Sequence, residues 1–254
     1  MTNLKKKISD GDTILGTWNT MGSTMSTKVI ASSGLDFQIL DLEHGPFVID
    51  SVHDHVASSY SYNCSCLVRV PSNIDWMILQ VLDQGAEGIV VPQVGNIEEV
   101  ERMIDTSMYP PVGSRGFSPF TFPGGFSNEH TQQYVDKANE NLVKVILLES
   151  PEAIEILPEI LKKDEVDVVY IGAYDLSKHL GVPGDIYNKK VVDLVKKSSE
   201  LVDKHKAILG SFVPQNEETL KFCLDIGLKF ITYGVDSFQL KNSYESAVNV
   251  VESY

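Results

Sequence analysis

Eight short apolar runs recur along the chain, each rich in Val, Ile, Leu or Phe. They fall at 13–18, 37–42, 66–70, 88–92, 143–149, 167–172, 207–213 and 228–233. Most are apolar almost throughout, as strands covered on both faces must be. The segments between them have helical character. Residues 23–33 are small and apolar, while Ile74, Met77, Ile78, Val81 and Leu82 recur at helical spacing, and 151–163 and 189–205 are amphipathic. "ASSGLDF", "LDQGAEG" and "LDIGLKF" each place a Gly where a helix should stop. Such alternation leaves an open doubly wound sheet or a closed barrel. Eight units in 254 residues match the ~250 residues of an eight-fold barrel. The first strand-to-helix turn, "WNTMGST", lacks G-x-G-x-x-G, which argues against a dinucleotide-binding sheet. The expected fold is therefore α/β: one (β/α)8 TIM barrel over 1–254, with an additional C-terminal helix at 234–254. The stretch 107–140 contains "YPPVGSRGFSPFTFPGGF" and is expected to be a long insertion, acting as a lid or a subunit contact.

Apolar residues make up 43% of the chain, enough for a sizeable core. Acidic residues outnumber basic ones 35 to 21, for a net charge of -14. That surface repels phosphate backbones and disfavours nucleic acid as a partner. The cysteines are Cys64, Cys66 and Cys223; a C-x-C pair does not readily close a strain-free disulfide, and no second metal-type pair exists. The N-terminal "MTNLKKKISDGD" lacks the apolar stretch of a secretory signal, and no apolar run is long enough to span a bilayer. The expectation is a soluble, cytoplasmic protein.

Barrels of this kind place their chemistry where strands end. Strand two ends in "ILDLEHGPF", which delivers Asp41, Glu43 and His44. Strand one offers Trp18 and Asn19, strand three Arg69, strand four Gln93, strand five Glu149 and strand six Asp175, with weaker claims for Gln215 and Asp236. Glu149 closes an apolar run in which a lone carboxylate would be costly. It either caps the helix that starts at Ser150-Pro151 or binds a cation. Asp175 either caps the next helix or shares that cation, since two neighbouring carboxylates repel until a divalent ion joins them. All-oxygen ligation suits Mg²⁺ or Mn²⁺. Arg69 reads as one half of an ion pair or as the seat of an anionic substrate. His44, beside a metal and an Arg, would be a natural general base. Asp41 and Glu43 could orient His44, surround the metal or pair with Arg69. His53 and His55 fall on what reads as a surface helix, and His130, His179 and His205 sit among polar residues.

"DFQILDLEHGPF", "VRVPSNIDWMILQVLDQGAEGIVVPQV", "YPPVGSRGF", "LLESPEAI" and "VDVVYIGAYDLSKHLGVPG" together resemble, in order and spacing, the HpcH/HpaI family of class II aldolases. The resemblance runs from "GTWNTMGS" to "FITYGVDSF" and implies a (β/α)8 barrel. It implies a divalent metal held by Glu149 and Asp175, Mg²⁺ or Mn²⁺ with Co²⁺ or Zn²⁺ as alternatives. It implies pyruvate or another 2-oxo acid as donor, an aldehyde as acceptor, and Arg69 on the oxo oxygen. His44 becomes the acid/base, supported by Asp83, which ends a helix at the opposite barrel face and so should reach a neighbouring subunit's site. Backbone amides around Gly172, Ala173 and Tyr174 would hold the substrate carboxylate. The family assembles as hexamers that exchange a C-terminal helix, a part open to 234–254 here. Two positions depart from the pattern. Leu147 stands where the family has the Gln of Q-x-E, implying a less polar substrate pocket, and Ala173 replaces a common Pro. No lysine stands at a strand end to form a Schiff base; Lys144 begins strand five. A phosphosugar isomerase would want Gly-rich loops after strands seven and eight, which "FVPQNEE" and "YGVDSFQ" lack. A barrel that binds 2-oxo acids with altered or lost lyase activity, or a lyase of different donor specificity, is the alternative.

Overall fold

A computed structural model describes residues 4–129 and 131–254. His130 and residues 1–3 lie outside the described residues. The chain opens with α1 (Leu4–Asp10), then runs β1 (Ile14–Asn19), α2 (Thr24–Ala31), β2 (Phe37–Asp41), α3 (Val52–Tyr60), β3 (Ser65–Arg69), α4 (Asp75–Asp83) and β4 (Gly88–Val91). It continues through α5 (Ile97–Ser107), α6 (Thr131–Asn141), β5 (Val143–Leu148), α7 (Pro151–Glu155), α8 (Leu157–Ile160), β6 (Val168–Ile171) and α9 (Ala173–His179). Last come α10 (Lys189–Val202), β7 (Ile208–Val213), α11 (Glu217–Asp225), β8 (Phe230–Val235) and α12 (Asp236–Glu252). The strands pair in sequence order, all parallel, and β8 closes on β1 to complete a barrel. The expected (β/α)8 fold and its extra C-terminal helix are both present.

Two apolar layers hold it. Inside the shaft, Phe37 and Phe230 stack with ring centres 4.2 Å apart, among Ile14, Ile39, Leu67, Val145, Leu147 and Tyr170. Leu4 and Ile8 of α1 belong to this cluster, so the N-terminal helix plugs the end where the strands start. The larger layer lies between strands and helices, from Leu40 and Val68 to Ile231. The three helix-ending glycines, Gly34, Gly85 and Gly227, have φ of 87°, 97° and 88°, the left-handed turn that stops a helix.

Three expectations need correction. The segment 107–140 is not one loop. Residues 131–141 form α6, none of whose side chains is fully buried, so "TQQYVDKANEN" carries no apolar stripe to mark it. The helix expected over 151–163 is two short ones, because Pro158 lacks an amide proton and its ring excludes the preceding turn. His55 is not on a surface. It is 2% exposed, with Nδ1 2.6 Å from Thr27 Oγ1 in a buried network with Asn19, Gln38 and Ser59. The cysteines are free and buried, and burial pushes the Cys64 thiol up to about 12. Among the described residues, no helix is long and apolar enough to cross a membrane.

Lys144 is buried near the start of β5. Its Nζ lies 3.2 Å from Asp167 Oδ2, and Lys5 of α1 pairs with the same carboxylate. Burial pulls Lys144 down to about 8. Asp167→Ala should therefore cost about 3 kcal/mol in urea unfolding, because it strands a buried ammonium. Asp167→Ala combined with Lys144→Met should recover most of that loss.

Candidate active site

The turn after β2 is built by Asp41. Its Oδ1 accepts the backbone N–H groups of Glu43 at 3.0 Å and His44 at 3.1 Å, and its carbonyl accepts Gly45 N–H at 2.9 Å. The same carboxylate takes Arg69 from the neighbouring strand, with Nε to Oδ1 at 2.8 Å and Nη2 to Oδ2 at 2.5 Å. Arg69 Nη1 lies 3.1 Å from Glu43 Oε2. Among the roles open to them, Asp41 and Glu43 both pair with Arg69, and Asp41 also holds the backbone turn that carries His44. Burial pulls the Arg69 pKa down, but the Asp41 bond and charge outweigh it, so the guanidinium stays charged. Five N–H groups on a guanidinium exceed what Asp41 uses, leaving donors for an incoming oxygen. Beneath it lies Trp18, with Arg69 Cζ 4.5 Å from the ring centre.

Glu149 follows β5 and does not cap α7. Ser150 does, its side chain accepting Ala153 N–H. Glu149 Oε2 instead accepts Gln93 N–H at 2.8 Å, and Gln93 Nε2 donates to Glu43 Oε1 at 3.1 Å. Gln93 has φ of 56°, a left-handed conformation unusual for a residue with a side chain. It thus links the two glutamates. Burial, with the charges of Asp175 and Glu43, pushes Glu149 up to about 7, against the opposing pull of the Gln93 bond and Arg69. Gly172 must lack a side chain: a Cβ there would come within 2.7 Å of Glu149 Cγ. Asp175 is not a cap either. Gly172 holds the cap position of α9, and Asp175 sits in the first turn, exposed, with Lys178 Nζ 3.9 Å away. The first amides of α9, from Ala173 to Asp175, have no partner within the helix. Among the described residues, no three His, Cys, Asp or Glu side chains form a ready-made metal cage.

Glu149, Asp175, Gly172, Arg69 and the His44 turn thus meet at the C-terminal mouth. Leu147 lies below, in the shaft and 1% exposed. Asp83 ends α4 at the other end of the barrel, where Arg115 Nη2 donates to it at 2.7 Å. It does not join His44 of the same chain, as its sequence position suggested. Two contributors were underrated by sequence reasoning. Trp18 and Gln93 stand at strand ends, but neither a stacked ring nor a positive φ can be read from residue type.

The sequence profile of the HpcH/HpaI aldolase/citrate lyase family matches residues 15–243. A hydroxypyruvate/pyruvate aldolase of Roseobacter denitrificans is 28% identical over 248 residues, covering 97% of this chain and 95% of its own. A 2-keto-3-deoxy-L-rhamnonate aldolase of Klebsiella pneumoniae subsp. pneumoniae is 30% identical over 233 residues, covering 92% and 86%. Among solved structures, an HpcH/HpaI aldolase from Desulfitobacterium hafniense superposes with a TM-score of 0.93 at 25% identity, over 100% of this chain and 98% of that one.

The Glu149 carboxyl has a testable signature. Its folded pKa of about 7 lies above the ordinary 4.5, so between these values the folded protein holds more protons than the unfolded chain. Its contribution to stability is complete below pH ~4.5, declines as pH rises towards ~7, and is flat above. In chelator, Glu149→Gln should remove up to about 3 kcal/mol of that decline. The variant should be the more stable protein at pH 8 in paired denaturation curves.

Proposed function

We propose that this chain, which belongs to the HpcH/HpaI aldolase/citrate lyase family, is a divalent-metal-dependent aldolase acting on a 2-oxo acid and an aldehyde. The observation that carries the reading is a charged Arg69, locked by Asp41, beside a half-buried Glu149 whose carboxyl is pushed up to about 7. The chain's relatives, a hydroxypyruvate/pyruvate aldolase and a 2-keto-3-deoxy-L-rhamnonate aldolase, agree with it.

The residues fit a metal. Glu149 and Asp175 are hard oxygen donors, and the excess negative charge that raises Glu149 is what a divalent cation relieves. Gly172 leaves the Glu149 carboxylate uncovered. Two protein ligands leave positions for a chelating substrate, so the lack of a third side chain is no obstacle. Mg²⁺ and Mn²⁺ suit these donors best, with Co²⁺ and Zn²⁺ next. When bound, the metal supplies Lewis-acid polarisation of the 2-oxo group.

In the cleavage direction, His44 removes the proton of the C4 hydroxyl. The C3–C4 bond breaks, an aldehyde leaves, and the electron pair passes to the 2-oxo oxygen as an enolate. Free N–H groups of Arg69 stabilise that charge. Protonation at C3 completes the oxo acid. The first amides of α9 at Ala173 and Tyr174 hold the substrate carboxylate, and Leu147 keeps the floor of the site apolar. Asp83 orients His44 from a neighbouring subunit, since Arg115 holds it at the far end of its own barrel. The exposed Phe238, Leu240, Tyr244 and Val248 of α12 support assembly into a homo-oligomer through that helix, a trimer of dimers.

With Mg²⁺ or Mn²⁺ and a panel of 4-hydroxy-2-oxo acids, a coupled assay for the released oxo acid should detect turnover. Chelation and Glu149→Ala should each abolish it, and Arg69→Lys should lower kcat about 10²-fold. Turnover that survives both chelation and Glu149→Ala would sink the proposal. Turnover absent while oxo-acid binding persists would favour a binding barrel instead. For the shared site, His44→Ala and Asp83→Ala chains should each be inactive alone. Mixed during assembly, they should regain roughly a quarter of wild-type activity, because a quarter of the sites then combine both intact groups.

A further inference from the structure

Beneath Arg69 three polar side chains meet inside the largely apolar shaft. Trp18 from β1, Tyr170 from β6 and Thr232 from β8 are all buried. The indole Nε1–H of Trp18 faces two oxygens, Thr232 Oγ1 at 3.0 Å and the Tyr170 hydroxyl at 3.2 Å. Those two oxygens are 2.5 Å apart. The other side of the indole carries Arg69, at 4.5 Å from ring centre to Cζ. Leu147 is the cross-strand neighbour of Tyr170 and brings no polar atom to compete for the hydroxyls.

Packing alone does not require this arrangement. Phe and Val would fill the same volume without buried oxygens that need partners. An indole N–H has one proton, yet two acceptors are provided. What they secure is the plane of the ring. If the indole turned, its N–H would lose both partners in a dry shaft. A guanidinium is attracted to the face of an indole, where the ring is negative, and not to its edge. Asp41 fixes Arg69 within the guanidinium plane, and the ring fixes its height.

We propose that Tyr170 and Thr232 are positioning residues: their hydroxyls hold the Trp18 indole on which Arg69 rests, and so set where the guanidinium meets the enolate oxygen. The catalytic consequence rests on the aldolase reading; the relay itself does not.

The redundancy of the acceptors makes a sharp test. Tyr170→Phe or Thr232→Val alone should change kcat by less than about threefold, since one acceptor remains. Together they should lower kcat at least about tenfold with KM changed less than about twofold, because a displaced Arg69 costs transition-state stabilisation. Thr232→Ser in the Tyr170→Phe chain should keep near-wild-type kcat. In a Trp18→Phe background, removing both hydroxyls should have no further effect on kcat. The relay has a readout independent of turnover. Trp76 is the other of the two tryptophans. In a Trp76→Phe chain, loss of both hydroxyls should shift the Trp18 emission to shorter wavelength. Wild-type kcat in the double variant, a tenfold loss that persists in Trp18→Phe, or an unmoved emission would each overturn the inference. A wild-type chain with no turnover would remove the aldolase reading, and the emission would then decide the relay.

Discussion

The bidentate pair between Arg69 and Asp41 is the constraint on which the barrel mouth depends. A buried ion pair holds only when its geometry is good and its remaining donors and acceptors are satisfied. Here Asp41 meets that condition by serving two structures at once. It grips the guanidinium of the next strand, and it accepts the amides that shape the turn carrying Glu43 and His44. The cation and the loop that bears the imidazole are therefore a single unit. A change at Asp41 would unseat both.

The second property of the mouth is its charge. Asp41, Glu43 and Glu149 gather around one guanidinium and Asp175 adds its charge beside Glu149, so negative charge is in excess. Gln93 moderates this from a strained backbone, giving its amide to Glu149 and its side chain to Glu43. Strain of this kind survives where the surroundings insist on it, most often at functional sites. The raised Glu149 is one expression of this excess, which the proposed divalent cation would relieve. The closed end of the barrel handles charge differently. There Asp167 is shared between Lys5 and Lys144, and the site is sealed by α1.

The strand positions were legible because a parallel strand buried on both faces must be apolar along its length. The expected runs at 37–42 and 143–149 correspond to β2 and β5 to within a residue. α6 was hidden for the converse reason, since a helix that buries no whole side chain has no pattern to betray it. His55 was misjudged because its partners, Thr27 on α2 and the Gln38 network on β2, come from elements distant in sequence.

Residue type and order determined the barrel, the rim on which Arg69, Glu149, Asp175 and His44 stand, and the family pattern they follow. The strands and their rim follow from local periodicity, which each segment carries in itself, and the family resemblance follows from the order and spacing of the motifs. Only the tertiary structure decided that Asp41 pairs with Arg69, that Ser150 and not Glu149 caps α7, and that Trp18 lies under the guanidinium on two hydroxyls from β6 and β8. The first and last are contacts between strands: pairing of β2 with β3 brings Arg69 to Asp41, and closure of β8 on β1 brings the hydroxyls to Trp18. The cap is decided by which side chain the local backbone turns towards Ala153.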